Sequence, residues 1–241
     1  MRIDLGDMQG AFHASQSGRK SRHSVSDRSE PSILQYDYLT LSTLGADVRS
    51  LIAALPRQGG RALDLGADKS PYRAALEEHG FAVETLDVTR DAGADHAGTV
   101  ESTGLPGSTF DLVLCTQVLE HCEDPWQGVR EIHRILVPGG CAIISAPHVW
   151  FFHPHPTDHW RFTQQGLTRL CEQGGFRVNA LLSQGGSVLA AAQVANFLVY
   201  GVLGRFGAPL YALANLAGRF LDRQVRNDLF CINFACLAER K

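Results

Sequence analysis

Short β-prone apolar runs alternate with helical stretches from Arg61 onward, and this alternation constrains the fold more than any other feature of the sequence. The strand candidates are Ala62–Leu65, Ala82–Val88, Phe110–Cys115, Cys141–Ala146, Phe176–Leu182 and Leu229–Leu237. The helical candidates are 36–55, Pro71–His79, Asp124–Leu136 and Gln164–Gly174. Nearly continuous apolar strands separated by helices are typical of a parallel sheet covered on both faces. Such sheets bind ligands beyond the carboxyl ends of their strands, so the chemistry is expected in the loops that follow each strand.

Composition narrows the class of protein. A chain of 241 residues can bury one good-sized core, which favours a single domain with additions. The net charge of −3 gives no indication of a nucleic-acid partner. The six cysteines form no CxxC pair and are expected to be reduced and mostly buried. The first thirty residues lack the apolar segment of a secretory signal, so a cytoplasmic location is expected.

The two ends of the chain differ in character. Residues 1–32 are polar, with serines interspersed among arginines and a lysine, and are predicted to form a mobile leader. The functional alternative for this leader is a cap docked over the active site. Residues 33–241 are predicted to form one domain.

One segment, 186–226, interrupts the alternation before the last strand. Residues 187–204 carry no charge, and neither do residues 206–218. Three interpretations remain open: a helical hairpin packed on the domain or on a second subunit of a homodimer, a helix lying in a membrane surface, and a membrane span. Gln193 and Asn196 argue against a simple spanning helix.

Two acidic residues mark the candidate ligand site. Asp64 lies near the end of the first strand, followed by Gly66 and a helix start, and Asp87 ends the second strand about twenty residues later. A glycine turn lets the backbone approach a ligand closely. An acid at the end of the next strand is typical of a group that accepts hydrogen bonds from two ribose hydroxyls.

At this point the chain resembles class I S-adenosylmethionine-dependent methyltransferases of the family called type 11. The resemblance runs from about Ala62 to Val178 and rests on ALDLGADKSPYR, TLDV, VESTGLPGSTFDLVLCTQVLEH and EIHRILVPGGCAIISAP. It implies a Rossmann-like, doubly wound α/β fold with a mostly parallel seven-stranded sheet, helices on both faces and a helical insert before the last strand. It also implies that 33–241 is a methyltransferase domain with S-adenosyl-L-methionine as its cofactor.

The resemblance also assigns cofactor-binding residues. Gly66 would line the methionine part, supported by Asp64, and Asp87 would hold the ribose. The adenine end would be bordered by Val88, Glu101 and the backbone of Ser102, and the sulfonium region by Thr116 and Gln117. The family usually has a second glycine where this chain has Asp68, whose carboxylate could meet the ammonium group of the cofactor, crowd the cofactor or repel its carboxylate. The GADKSP sequence does not match GxGxxG, which disfavours NAD.

The loop after the strand candidate Cys141–Ala146 is dense in histidine and aromatic residues. It is similar to an HxxPxDxWRFT element found in a subgroup of type 11 enzymes, many of them associated with glycan biosynthesis. His153 or His155 would fill its first position. We predict that substrate is bound by His153, His159, Trp160 and Arg161.

Three roles compete for this loop. His155 or Asp158 could be a general base in an O-methyl transfer. Alternatively, His153, His155, Asp158 and His159 could bind a metal, although our prediction is that no metal site is present. In the third interpretation, Asp158 pairs with Arg161 to order the loop, Trp160 is core and Thr163 caps the next helix. His121, which ends the VLEH run, is a further candidate for the base.

The sequence leaves three functions open. The first is O-methyl transfer to a sugar, a glycan or a related hydroxylated intermediate, with the 186–226 segment in peripheral contact with a membrane. The second is methylation of a diffusible natural product, and the third is a non-catalytic cofactor-binding protein, suggested by Asp68. The acceptor is thus expected to be a small molecule or a glycan.

Overall fold

The computed structural model describes residues 28–88, 93–153, 157–225 and 227–241. Most of the leader predicted for 1–32 therefore lies outside the described residues, as does His155. The predictions made for them remain predictions.

Strands and helices alternate along the chain as the sequence predicts. The helices are α1 (Tyr38–Ala53), α2 (Arg73–Glu78), α3 (Pro125–Ile135), α4 (Gln164–Gln173), α5 (Ser187–Leu203) and α6 (Ala208–Gln224). The strands are β1 (Gly60–Leu65), β2 (Phe81–Asp87), β3 (His96–Ala97), β4 (Phe110–Thr116), β5 (Leu136–Pro147), β6 (Phe176–Gln184) and β7 (Asn233–Arg240). Short 3₁₀ turns lie at Leu119–His121 and Gly204–Gly207.

The seven strands form one sheet in the order β3-β2-β1-β4-β5-β7-β6. All neighbouring pairs from β3 to β5 are parallel, whereas β7 is antiparallel to both of its neighbours. The order turns back between β1 and β4, which is where doubly wound sheets form their ligand crevice. The predicted fold class is confirmed, including the helical insert, which consists of α5 and α6.

Two apolar clusters cover the two faces of the sheet. On one face, α3 and α4 contribute Val129, Ile132 and Leu167 to a cluster with the centre of the sheet. On the other face, Val48 of α1 and Leu76 of α2 pack against β1, β2 and β4. The sheet is therefore shielded from water on both sides, which explains why its strands are apolar along their length.

The fifth and last strands begin at different residues from those predicted. The fifth was expected at Cys141–Ala146 but starts at Leu136, because Phe110 of β4 already pairs with Leu136 across an irregularity in register. The last was expected from Leu229, but Leu229 is 91% exposed and pairing starts at Asn233, where β5 and β6 both end. Apolar character alone does not fix a strand end, because the partner strands determine where hydrogen bonding stops.

Candidate active site

A cavity of about 460 Å³ opens at the carboxyl ends of β1, β2 and β4. Its lining comes from the turn after β1, the end of β2, the loop at 98–101 and the residues after β4. This volume is within the range of small-molecule and cofactor sites. Predicted site residues that line it are Asp64, Gly66, Asp87, Val88, Glu101, Thr116, Gln117 and His121.

Gly66 is required by the geometry of the turn after β1. Its φ is +73°, and a Cβ at this position would lie 2.5 Å from Cγ2 of Val118. The Gly66 N–H donates to the carbonyl of Leu86 at 2.8 Å, which joins this turn to the end of β2. A larger residue would therefore both strain the backbone and displace Val118.

Asp68 occupies the position of the second family glycine. Its φ is +45°, a conformation that glycine adopts freely and aspartate tolerates better than most residues. Its carboxylate lies 3.0 Å from NH1 of Arg28, and both side chains are partly exposed. Arg28, which also lines the cavity, therefore offsets the negative charge that Asp68 introduces there.

The carboxylate of Asp87 is held in place by two backbone N–H groups. Asp68 donates to Oδ2 at 2.9 Å, and Val88 donates to Oδ1 at 2.7 Å. These bonds fix the orientation of the carboxylate at the cavity wall, and each oxygen keeps a lone pair for a further donor. Val88 beside it is 68% exposed, an apolar surface at the open side of the cavity.

Asp64 is buried and supports the turn from within. It accepts a hydrogen bond from Oγ of Ser70 at 2.6 Å. Burial raises the pKa of Asp64 to about 6, although Ser70 and the positive charges of Arg73 and Arg28 lower it. The residue thus has a supporting position, as the resemblance implies.

Glu101 and Ser102 lie differently with respect to the cavity. Glu101 lines it, and its Oε1 accepts from the backbone N–H of Glu123 at 2.9 Å, which leaves Oε2 outside this bond. Ser102 is exposed, is not among the described residues that line the cavity, and donates its N–H to Thr99 at 3.2 Å. The adenine contact predicted for the Ser102 backbone is therefore not supported by this arrangement.

A second cavity of about 310 Å³ adjoins the first. Gln117 and His121 line both cavities, whereas Tyr36, Glu120, Trp150 and His153 line only the second. Gln117 has a φ of +56° and donates from Nε2 to Oγ of Ser145 at 3.1 Å, so its side chain is fixed between the two spaces.

His121 is oriented for proton acceptance at this junction. Its Nδ1 lies 2.7 Å from the carbonyl oxygen of Thr157, an acceptor, so the neutral ring must carry its proton on Nδ1. Nε2 is then unprotonated. Burial lowers the pKa of His121 below its ordinary value, outweighing the opposite effect of the Thr157 carbonyl.

Glu120 is a site residue that sequence reasoning missed. Its side chain is 3% exposed, Oε1 lies 3.8 Å from Nε2 of His121, and Oε2 has no hydrogen-bond partner among the described residues. Burial raises the pKa of Glu120 to about 8, so this carboxyl is largely protonated at neutral pH. The sequence places this acid next to His121 in the VLEH run, which could have marked it as a site residue, but its burial depends on the fold.

Asp158 and Arg161 form a partly buried ion pair. Arg161 donates from both terminal nitrogens to the carboxylate at 2.5 and 2.7 Å, and the Asp158 side chain is 1% exposed. Burial favours a higher pKa for Asp158, but the bonds from Arg161 and the His153 backbone outweigh it and lower the pKa. This geometry corresponds to the interpretation in which Asp158 pairs with Arg161 to order the loop, and it argues against Asp158 as a general base.

Of the four residues predicted to bind substrate, His153 lines the second cavity, and the other three line neither of the two cavities described above. His159 is exposed and donates its backbone N–H to the carbonyl of Glu120 at 2.8 Å. Trp160 packs against the core and donates its indole N–H to Cys122. Arg161 holds Asp158 and the carbonyl of Phe151. Thr163 caps α4, as predicted, by accepting from the N–H of Gly166.

One cluster of residues has side chains of the types that bind metal ions. Ligand atoms of His121, His153 and Asp158 all lie within 4.8 Å of one another. However, the Arg161 guanidinium contacts both oxygens of Asp158, and its positive charge opposes a cation there. The absence of a metal remains a prediction.

Comparison with known proteins agrees with the fold and with the class of protein that the sequence resembles. Residues 40–181 match a family described as a methyltransferase domain. A protein of Mycolicibacterium smegmatis described as an S-adenosylmethionine-dependent methyltransferase is 34% identical over 91 residues, 35% of each chain. A ubiquinone biosynthesis O-methyltransferase of Dinoroseobacter shibae is 27% identical over 59% of this chain and 70% of its own.

Among solved structures, the phosphoethanolamine N-methyltransferase 2 of Haemonchus contortus in complex with S-adenosyl-L-methionine has the same fold. The TM-score is 0.56 at 15% identity, over 92% of this chain and 60% of that one.

The fold is that of the class I S-adenosylmethionine-dependent methyltransferases, as the family match and the relatives also indicate. The chain belongs to the methyltransferase domain family, which confirms the predicted class and cofactor. It spans only about a third of the length of the Mycolicibacterium smegmatis relative.

Proposed function

We propose that this chain transfers a methyl group from S-adenosylmethionine to a hydroxyl oxygen of a small acceptor. The observation that carries the proposal is the arrangement of two adjoining cavities with His121 at their junction. The first cavity suits the cofactor, and the second offers space for an acceptor next to the site of methyl transfer.

The lining of the first cavity supports the cofactor assignment residue by residue. Asp87, fixed by two backbone donors, would accept from the ribose hydroxyls. Oε2 of Glu101 would accept from the adenine amino group, with Val88 packing beside the ring. Gly66 would allow the methionine part to approach the backbone, and Thr116 and Gln117 would border the sulfonium.

Proton removal is the chemical contribution expected from the protein. When bound, the cofactor supplies an electrophilic methyl group, and the site aligns the acceptor oxygen with it. An alcohol is not ionised at neutral pH, so a base improves its nucleophilicity, typically by about 10²–10⁴-fold. His121 lines both cavities and its Nε2 is unprotonated, which makes this nitrogen the proposed base in place of Asp158.

The acceptor is proposed to be a hydroxylated intermediate with an apolar portion. The second cavity combines Tyr36 and Trp150 with the polar groups of Glu120 and His153. Relatives named ubiquinone biosynthesis O-methyltransferases support transfer to oxygen. A sugar or glycan and a diffusible natural product remain the alternative acceptors.

An acceptor screen with a labelled methyl group tests this function. Purified protein would be incubated with S-[methyl-³H]adenosylmethionine and matched pairs of acceptors, each a hydroxylated compound and its deoxy analogue, from phenolic and sugar series. Transfer to a hydroxylated member, absent with its deoxy analogue and lost in His121→Ala, is expected. Transfer to nitrogen or carbon acceptors alone would contradict the proposal.

A further inference from the structure

The helical hairpin formed by α5 and α6 carries an extensive exposed apolar surface. We call this the outward face of the hairpin. Its exposed large side chains are Leu198, Val202, Leu203, Phe206, Leu210, Leu213, Leu216, Phe220 and Leu221, with exposures from 41% to 78%. A concentration of exposed large apolar side chains in one segment commonly marks a site of interaction with a protein or a membrane.

The polarity of the hairpin is the reverse of that of a helix pair in water. On α6, the buried positions include Asn215 and Asp222, while Leu213, Leu216 and Phe220 lie on the opposite side of the helix. An amphipathic helix of a soluble domain normally buries its leucines and exposes its polar residues. The reversed pattern is typical of helices whose outer surface contacts lipid.

The buried polar residues connect the hairpin internally and to the domain. Asn196 donates to Oδ1 of Asn215 at 2.7 Å, which links α5 to α6. Gln193 donates to the carbonyl of Tyr36 at 2.9 Å, and Asn215 donates to the carbonyl of Ile33 at 2.7 Å. These hydrogen bonds fix the hairpin to the domain. They therefore fix which side of the hairpin packs against protein and which side, the outward face, is exposed.

The exposed charges of the hairpin are basic. Within residues 187–225 the charged residues are Arg205, Arg219, Asp222 and Arg223. Asp222 is buried and accepts from the N–H groups of Gly186 and Leu189 at the start of α5. Arg205, at the turn between the helices, lies over the ring of Phe206, with its CZ atom 5.1 Å from the centroid. Exposed arginines beside apolar side chains are complementary to anionic lipid headgroups.

We propose that the outward face of the α5–α6 hairpin docks onto an anionic bilayer surface and lies in the headgroup region. By length and composition, Ser187–Gln224 is one stretch of the described chain that could cross a membrane. Each helix has 17 residues, about 25 Å of rise, which is short of a hydrocarbon core of about 30 Å. The polar contacts with the domain also hold one side of the hairpin against protein, so interfacial docking fits better than spanning.

Vesicle co-sedimentation of the full chain tests the proposal. Vesicles of phosphatidylcholine with phosphatidylglycerol would be compared with phosphatidylcholine alone. Wild-type protein is expected to pellet with the anionic vesicles, at least about tenfold more tightly than with neutral ones, and to be released by high salt.

Two variants separate the apolar and the basic contributions. Phe206→Ser/Leu213→Ser/Phe220→Ser is expected to abolish pelleting, and Arg205→Glu/Arg223→Glu to weaken it at least about tenfold. Arg57→Glu/Arg169→Glu changes the net charge equally at exposed positions elsewhere and is expected to bind as the wild type does. Circular dichroism would verify that each variant is folded.

Two outcomes would overturn the proposal. The first is the absence of pelleting by folded wild-type protein, and the second is pelleting that the triple serine variant retains. If that variant also converts a wild-type dimer to a monomer in light scattering while vesicle binding is unchanged, the outward face is a subunit interface. None of these outcomes bears on methyl transfer, so the proposed function is tested separately.

Discussion

The guanidinium of Arg28 lies 3.0 Å from the carboxylate of Asp68 at the wall of the first cavity. This ion pair compensates for an acidic residue in a turn where the family usually has glycine. Under the proposed function, the pair would let a carboxylate occupy this position beside a cofactor that carries a carboxylate of its own.

Removing Arg28 should therefore weaken cofactor binding through Asp68. Arg28→Ala is expected to reduce the affinity for S-adenosylmethionine by up to about fivefold, since the pair is partly exposed and its energy is about 0–1 kcal/mol. Asp68→Asn in the Arg28→Ala background should restore the affinity. Isothermal titration calorimetry of wild type, Arg28→Ala, Asp68→Asn and the double variant measures the coupling between the two residues. If Arg28→Ala lowers the affinity for S-adenosylmethionine equally with Asp68 and with Asn at position 68, the coupling is refuted.

The role of His121 predicts a specific dependence on pH. His121→Ala should lower kcat by about 10²–10⁴-fold with little change in cofactor affinity. Burial lowers the pKa of His121, so the base stays unprotonated near pH 6.5, and the rate should fall only as the pH drops below that value. His159→Ala, at an exposed histidine outside both cavities, is the control and should keep wild-type kcat. An unchanged pH profile in His121→Ala would exclude His121 as the base.

The buried carboxyl of Glu120 should make the free energy of unfolding fall as the pH rises. The folded-state pKa of this carboxyl is raised to about 8, so between about pH 4.5 and 8 the unfolded chain releases a proton that the folded chain retains. Ionisation thus favours the unfolded state increasingly over this range. Glu120→Gln should remove this pH dependence. Its free energy of unfolding relative to that of wild type should therefore be about 2–5 kcal/mol larger at pH 8.5 than at pH 5. Urea unfolding of both proteins at the two pH values measures this, and the same difference in free energy at both would contradict the raised pKa.

Asp158 is predicted to act on stability and not directly in catalysis. Asp158→Asn removes the charge that pairs with Arg161, and loss of a charge-assisted hydrogen bond at a partly buried position costs about 1.5–3 kcal/mol. Thermal unfolding should show a Tm lower by about 3–12 °C, at about 2–4 °C per kcal/mol. A variant with wild-type Tm and a strongly reduced kcat would instead support the base role first considered for this residue.

The sequence predicted the fold and the residues that line the first cavity better than the side-chain contacts of the loop after β5. Asp64, Gly66 and Asp87 lie at strand ends, where the position of a residue in the chain fixes its position in the sheet. His159 and Trp160 were predicted at the substrate but make contacts on other sides of the loop, because a loop has no periodicity from which side-chain direction can be inferred.

Glu120 shows a second limit of prediction from sequence. Its raised pKa depends on burial. That burial arises in the folded chain, where residues distant in sequence such as His159 and Trp160 contact the Glu120 backbone, and no local pattern encodes it. Likewise, the compensation of Asp68 by Arg28 joins residues forty positions apart, so the sequence could identify the departure from the family but not its partner.

The central claim, that the cavity at the ends of β1 and β2 holds S-adenosylmethionine, is tested most directly by calorimetric titration. Wild-type protein, Asp87→Ala and the control Glu78→Gln, at an exposed acid on α2, would be titrated with S-adenosylmethionine and S-adenosylhomocysteine. Saturable binding by wild type and control, at least about tenfold weaker in Asp87→Ala, is predicted, since hydrogen bonds to a charged group contribute about 1.5–3 kcal/mol. No binding by folded wild-type protein, or equal affinity in Asp87→Ala, would contradict the account.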